Sequence, residues 1–393
     1  MDIGELYVCA ECFNDPDLKS LINSSDEDPG CDICRGSDAP TAKLDIILSH
    51  IQNCIEEEYD LAANCLPWES REGGWQFGKV WDTHDLVLDE IGLELQRDEE
   101  GILFEKIIEY LGGPQDWCLR NPFGRDKLEI LWSGWEGFSN TVKYKTRFFL
   151  DRIQEGENSE LKGLDPDPSP AETLKSIGDI AERLDLFRTL SNETPIFRTR
   201  FSKNGEKLTT PESLGPPPPH ATLSNRMSPP GVALFYGALD PETAFQEIFE
   251  GPGLFSTGQF VVQRDLFLLD LSGLPDIPGF FAPIPDSQPW GGREATFFHH
   301  LLRDFTQPIE RDDRIHIEYI PTQVVTEYFR LEFHKEQEAP KLDGIIYPSS
   351  REAGGESMVL FCGQEAIGSN DLEGTGQEED IWLTLRSVEH RRL

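Results

Sequence analysis

Apolar positions change their rhythm along this chain. Between residues 42 and 155 they recur at helical spacing: Ile47, Ile51, Cys54 and Ile55, then Ile102, Leu103, Ile107, Ile108 and Leu111, then Leu128, Leu131, Trp135, Phe138 and Val142. Each set marks one face of a helix, and Gly112-Gly113-Pro114 stops the second. Glu155, Glu157, Glu160, Asp165, Pro166, Asp167, Pro168 and Pro170 then make an acidic, proline-stiffened linker. A helix starts cleanly behind it. Ser169 suits the N-cap, Pro170 the first helical position, and Glu172 completes a capping box. Leu174, Ile177, Ala181, Leu184 and Phe187 form its apolar stripe, and the helix is expected to pack between domains.

Beyond this helix the pattern shortens to strands. Ala233 to Tyr236, Phe260 to Val262, Leu266 to Leu271 and Ile345 to Tyr347 are β-like runs. Asp240 and Pro241 open a helix that carries Glu247 about two turns in. After Gly363 the chain is acidic and Gly-rich to Asp380, before a short Ile381-Trp382-Leu383 stretch. The predicted architecture is α+β and multidomain: a zinc ribbon over 1–40, a helical bundle over 41–155, a linker and connecting helix over 156–194, a mixed α/β domain over 195–365 and an acidic tail over 366–393.

The ribbon rests on four cysteines. Cys9-Ala10-Glu11-Cys12 and Cys31-Asp32-Ile33-Cys34 are two CxxC pairs with 18 residues between them. Tetrahedral Zn2+ takes four thiolates, and a two-residue gap lets one turn offer both members of a pair. Two disulfides or a redox pair are the alternatives; no signal peptide opens the chain, which argues against disulfides. Four thiolates leave no open coordination position, so the expected zinc is structural. Cys54, Cys65, Cys118 and Cys362 stand apart from one another and read as small buried hydrophobes.

Composition narrows the function classes. The 393 residues carry 72 acidic and 35 basic side chains, a formal net charge of -37. That field repels nucleic-acid backbones and argues against DNA or RNA as a partner. No apolar run approaches a membrane span, so the expected setting is the cytoplasm. Nucleophilic triads, HExxH and GxGxxG fingerprints are absent. His299 and His300 lie in an aromatic stretch and read as structural.

The candidate chemistry lies in the strand-rich half. Arg226 is flanked by Gly215 to Pro219 and by Pro229-Pro230-Gly231, prolines that restrict its loop. By itself it is a surface arginine in a proline-rich loop. Tyr236 by itself is a strand residue, Ser349 a turn serine with Ser350 as its rival, and Glu247 a helix carboxylate. Ala244, Phe245 and Ile248 around Glu247 predict burial, where a carboxylate needs a reason. Arg198 and Arg200 border the first strand, and Arg198 is the preferred inward-facing one.

These residues, taken in order, resemble the RES family. The matching stretches are Phe197 to Arg200, Arg226 to Gly231, Phe235 to Ala238, Thr243 to Glu247, Glu318 to Tyr328 and Asp343 to Ser350. The resemblance covers roughly residues 195 to 365. It implies an ADP-ribosyltransferase-like core that degrades NAD+, in a toxin restrained by an antitoxin or regulatory protein partner. It also implies roles. Arg226 anchors the substrate's pyrophosphate, Arg198 points into the site and helps bind NAD+, Tyr236 packs on the nicotinamide-ribose end, Glu247 stabilises the positive charge on the ribose, and Ser349 positions the ribose or the phosphate. Water, phosphate or a macromolecule accepts the ADP-ribose; the last would make the chain an ADP-ribosyltransferase. A decayed site would leave a zinc-stabilised binding or regulatory module. A homo-oligomer stays open.

Residues 41–155, with Glu69 to Gly74 and Asp116-Trp117-Cys118, resemble the HEPN-like domain found ahead of some RES domains. Ribonucleases of that class use an Arg and a His a few residues apart. No such pair lies between 42 and 155, so this domain is expected to be non-catalytic.

Overall fold

A computed structural model of the chain describes residues 3–25, 29–36, 39–150, 167–283, 291–306, 315–334, 339–369 and 381–393. Residues 155–166 of the acidic linker expected over 155–170, and residues 370–380 of the acidic, Gly-rich segment expected after Gly363, lie outside the described residues. The chain divides into two compact units: Met1–Asp126 with Ile277–Gly292, and Lys127–Asp276 with Arg293–Leu393. No helix among the described residues is long and apolar enough to cross a membrane.

In the first unit, strand β1 (Tyr7–Cys9) pairs antiparallel with β2 (Thr41–Lys43), and helix α1 (Pro16–Asn23) lies between them in sequence. Helix α2 (Leu44–Glu58) buries Ile47, Leu48, Ile51, Cys54 and Ile55, the stripe that its spacing predicts. Helix α3 (Ile102–Tyr110) adds Leu103 and Ile107. The expected all-helical bundle is corrected here. Strands β3 (Tyr59–Leu61), β4 (Trp81–Asp82) and β5 (Asp116–Leu119) form a sheet in the order β3-β5-β4. Two to four residues are too few to show a period-2 pattern, and aromatic residues carry them instead: Tyr59 meets Trp81 edge to face at 5.6 Å. Cys65 and Cys118, far apart in sequence, also pack into one small cluster with Ala62 and Leu66. Cys9, Cys12 and Cys31 are buried in the same core as Leu18, Ile22, Leu44 and Ile47, so the cysteine site is part of this unit's core.

The third predicted helix, α4 (Lys127–Tyr144), belongs to the second unit. Phe138 and Val142 pack there with Leu174, Ile177 and Ala181 of α5 (Pro170–Arg183). Helix α5 has the predicted capping box: the Ser169 side chain accepts from the Glu172 N–H, and the Glu172 carboxylate accepts from the Ser169 N–H at 2.7 Å. Its stripe faces α4 and the aromatic residues of this same unit.

Among the described residues the second unit is built on a nine-stranded sheet. Its strands are β6 (Phe187–Leu190), β7 (Pro195–Ser202), β8 (Phe235–Ala238), β9 (Leu254–Val262), β10 (Leu266–Asp270), β11 (Gly344–Pro348), β12 (Glu356–Leu360), β13 (Ile367–Ser369) and β14 (Leu383–Arg392). Their order is β13-β14-β9-β7-β8-β12-β11-β10-β6. Successive residues point to opposite faces, and both faces are covered. Ile345 and Val359 face a core shared with α4, α5, α7 (Gly291–Thr306) and α8 (Ile320–Leu331); Ile346, Met358 and Leu360 face a second core with Phe235, Phe260 and Leu383. The expected acidic tail is corrected as well. Leu383–Arg392 form β14, which pairs with β9 from Leu254↔Arg392 to Val262↔Leu383. The buried Leu383 and Leu385, two apart, are the inward positions.

One junction in this sheet differs from the rest. Strand β7 pairs with β9 along its whole length, and β8 with β12 along its whole length. Between β7 and β8 there is one pair, Phe197↔Ala238. The two halves of the sheet separate from that point. Gly237 sits at the crossing, where a Cβ would stand 2.8 Å from the Phe235 ring and 2.9 Å from the Phe197 carbonyl oxygen. Gly237→Ala is therefore expected to destabilise this unit by about 1–3 kcal/mol through overpacking. A urea midpoint equal to that of the parent chain would contradict the tight crossing.

Candidate functional site

The separated strands line a cavity of about 690 Å³, within the size range of small-molecule sites. Strand β7 supplies Phe197 to Phe201, β8 supplies Tyr236 and Gly237, and the opposite wall carries Glu247, Tyr347 and Ser357. A second cavity of about 420 Å³ shares Phe201, Glu247 and Ile248.

Glu247 is positioned by a short helix, α6 (Pro241–Gln246). The Asp240 side chain caps it, accepting from the Thr243 N–H at 2.8 Å. The helix ends one residue before Glu247, so the carboxylate leaves from the C-cap. Phe245 anchors the helix edge to face on Phe255 at 5.1 Å. Gly355 lets the chain entering β12 approach Thr243, where a Cβ would collide with the threonine hydroxyl.

That approach delivers two hydroxyls to one oxygen. Ser349 donates to Glu247 Oε1 at 2.6 Å, and Ser357 donates to the same oxygen at 3.1 Å. Ser349 Oγ in turn accepts from the Arg351 N–H at 3.2 Å and the Glu352 N–H at 3.1 Å. Its lone pairs are taken, so its proton points at the carboxylate. Among the described residues no hydrogen bond reaches Oε2. Ser350, the rival of Ser349, is exposed.

Two phenols share this space. Tyr347 is held well above the ordinary phenol range, by burial first and by the Glu247 charge second. Burial pushes Tyr236 up to about 12. Its hydroxyl lies 3.0 Å from Ser228 Oγ, a link to the loop that carries Arg226.

The Arg226 loop is tied to α8. Gln323 donates to the carbonyls of Asn225 at 2.7 Å and Ser228 at 3.2 Å, and Thr322 donates to the Arg226 carbonyl at 2.6 Å. Asn225 lines the cavity; the Arg226 side chain does not. Its guanidinium donates to the Asp304 carbonyl at 3.1 Å and lies over the Tyr319 ring at 5.5 Å. Arg226 thus stands at the rim, near enough for its charge to act on Tyr347.

Arg198 and Arg200 both line the cavity from β7. Arg198 donates to the Tyr236 carbonyl across the gap between the half-sheets, and lies over the Phe235 ring at 5.3 Å. Burial, then repulsion by Arg200, hold its guanidinium down to about 9. His299 lies apart from this constellation, with Nε2 3.0 Å from the Pro275 carbonyl oxygen.

The geometry thus joins Ser349 to Glu247, groups Glu247 with Tyr236 and Arg198 around one cavity, and leaves Arg226 at its edge. Ser357, Tyr347, Thr322 and Gln323 were not among the expected site residues. A serine inside the buried strand Glu356–Leu360 is a readable anomaly, since Ser357 is 1% exposed. Which carboxylate it meets is not.

The first unit holds a separate centre. The sulfurs of Cys9, Cys12, Cys31 and Cys34 all lie within 4.8 Å of one another. Cys9–Cys12 and Cys12–Cys31 are 3.7 Å apart, and Cys9–Cys34 3.6 Å. A tetrahedral ion with Zn–S bonds of ~2.3 Å requires edges of roughly 3.8 Å. The N–H groups of Cys9 and Cys34 point at Cys31 Sγ, at 3.3 and 3.5 Å, and support thiolate there. Burial and the adjoining sulfurs push the Cys9 thiol up to about 11, so these groups need a cation to ionise together. The donor set fits a four-thiolate metal site.

Two family models match the sequence: HEPN/RES N-terminal domain 1 over residues 24–156, and RES domain over residues 195–383. No curated protein and no solved structure matches it significantly.

Proposed function

The chain carries HEPN/RES N-terminal domain 1 followed by a RES domain, and on that premise we propose that it cleaves the nicotinamide–ribose bond of NAD+. The observation that carries this reading is the carboxylate of Glu247, fixed by two serine hydroxyls in the wall of a cavity that both arginines of β7 also line. We read the split sheet as the ADP-ribosyltransferase-like core that the family resemblance implies.

In the reaction the bond from the ribose C1′ to the nicotinamide nitrogen breaks. Its electron pair leaves with nicotinamide, which becomes neutral, and positive charge builds on the ribose. A carboxylate held beside that carbon stabilises the charge more in the transition state than in the ground state. Ser349 and Ser357 fix its orientation through Oε1, and Oε2 faces the ribose. Tyr236 and Tyr347 form the aromatic wall for the nicotinamide end. Arg226 neutralises a substrate phosphate from the rim. Water then attacks C1′ and loses a proton; inorganic phosphate takes its place in a phosphorolytic version. A chain with net charge -37 repels this anionic substrate, so the arginines supply the local field. Such an activity depletes NAD+ unless restrained, and an antitoxin or regulatory protein is the expected partner.

We assign Zn2+ as the ion of the four-cysteine centre, with a structural role. Elemental analysis of freshly purified protein should find one zinc per chain. Because the cysteines sit in the core of the first unit, a chelator should loosen that whole unit, read as faster amide exchange along α2, and spare the second. Unchanged exchange in α2 after zinc loss would contradict this placement.

Variants separate the catalytic roles. Glu247→Gln is expected to lose about 100- to 1000-fold in kcat, the usual cost of removing one preorganised electrostatic group. Arg226→Ala should raise KM chiefly, since the phosphate charge is present in ground and transition states alike. Ser349→Ala should lower kcat, and Ser350→Ala should leave it near the parent value. Measuring NAD+ loss at limiting and saturating substrate decides the matter, and parent-like turnover in Glu247→Gln would sink the mechanism.

A further inference from the structure

Helix α6, which delivers Glu247, has six residues, too few to hold a helical shape in water unaided. It is gripped from the far end of the chain. The Arg391 guanidinium, on β14, lies over the Phe245 ring at 4.3 Å. Its Nη2 donates to Glu242 Oε2 at 3.0 Å. The other Glu242 oxygen, Oε1, accepts from the Gln246 side chain at 2.9 Å. Gln246 is the last residue of α6 and the neighbour of Glu247. One cation thus reaches the first turn of the helix through Glu242 and its last turn through Phe245.

The strand register places Arg391 for this. Strand β14 sets Arg391 opposite Phe255, the ring against which Phe245 packs edge to face. Just beyond, Leu393 and Gly253 exchange backbone hydrogen bonds at 3.0 and 3.1 Å, so the strand is fixed where the guanidinium leaves it. Arg391 and Glu242 are each about half exposed, and an exposed ion pair alone is worth little. Here the same guanidinium also makes a cation–π contact, and the Glu242–Gln246 bond joins residues four apart on the helix. Arg391 first, and Gln246 second, hold the Glu242 carboxyl below its ordinary range, so both partners stabilise the carboxylate. The RES match ends at residue 383, where β14 begins, so Arg391 lies outside the stretch that matches the family.

We propose that Arg391 is a positioning residue for Glu247: from β14 it clasps α6 through Glu242 and Phe245 and so fixes where the carboxylate at the helix end points. Its effect on turnover rests on the NAD+ reading; the clasp itself rests on the contacts.

The test uses the full chain with Arg391→Gln, Arg391→Lys, Glu242→Gln and the double variant Arg391→Gln/Glu242→Gln. Arg392→Gln is the control, since its side chain alternates to the opposite face of β14. Amide exchange over residues 241–247 is measured without substrate, and kcat and KM for NAD+ are measured in parallel. Arg391→Gln should speed that exchange by about five- to tenfold and lower kcat by a similar factor, with KM unchanged. Arg391→Lys should fall between it and the parent, because the charge stays and the planar stack is lost. The double variant should lose less than the product of the two single losses, as residues in one network do. Arg392→Gln should match the parent. Exchange over β11 should stay parent-like in every variant, and equal acceleration there would overturn the proposal as a general loss of stability. Parent-like exchange over α6 in Arg391→Gln overturns the clasp even if the parent chain cleaves NAD+. Faster exchange with parent-like kcat, or a raised KM at parent-like kcat, overturns the positioning role. Faster exchange in a chain whose parent cleaves no NAD+ keeps the clasp and removes the enzymatic reading.

Discussion

A single paired position, Phe197 opposite Ala238, joins the two halves of the nine-stranded sheet. The candidate site depends on that constraint. Full-length pairing of β7 with β8 would close the seam with backbone hydrogen bonds and leave no room for a ligand. Separation exposes backbone groups that need partners, and the Arg198 guanidinium serves the Tyr236 carbonyl across the gap. Gly237 permits the crossing because any side chain there meets backbone and aromatic ring together. The rigid half-sheets then hold Arg198 and Arg200 on one wall and Tyr236, Tyr347 and Ser357 on the other.

Glu247 depends on this frame in turn. A carboxylate in a partly apolar wall is costly unless its hydrogen bonds are made. The two serines flank the turn of one hairpin, β11–β12, so the carboxylate is fixed by a structure that cannot shift one donor without the other. The α6 helix brings Glu247 to them only because Phe245 packs on Phe255 and Gly355 admits Thr243. Negative charge on one side of the cavity and two cations on the other give it a polarity that the net charge of the chain does not reveal.

What could be read from the sequence was mostly local. The Ser169–Glu172 capping box and the Asp240 cap depend on residues within one turn, and both formed as read. The CxxC spacing likewise placed four sulfurs within reach of one ion. The resemblance put Glu247 and Ser349 in one candidate site although they lie 102 positions apart, which no periodicity could have done. The rest required long-range contact. The strands of the first unit are too short to show a pattern, Ser357 gains meaning only opposite Glu247, and β14 is recognised only once β9 is there to pair with it. The seam was not legible at all, because each strand's sequence satisfies its full-length partner and says nothing about where pairing stops.

The measurement that bears most directly on the central assignment is the fate of NAD+ mixed with the purified full chain, with and without inorganic phosphate. Mass spectrometry of the small-molecule products should show free nicotinamide accumulating together with ADP-ribose or its phosphorylated counterpart. Intact NAD+ after long incubation with folded, metal-replete protein would contradict the assignment.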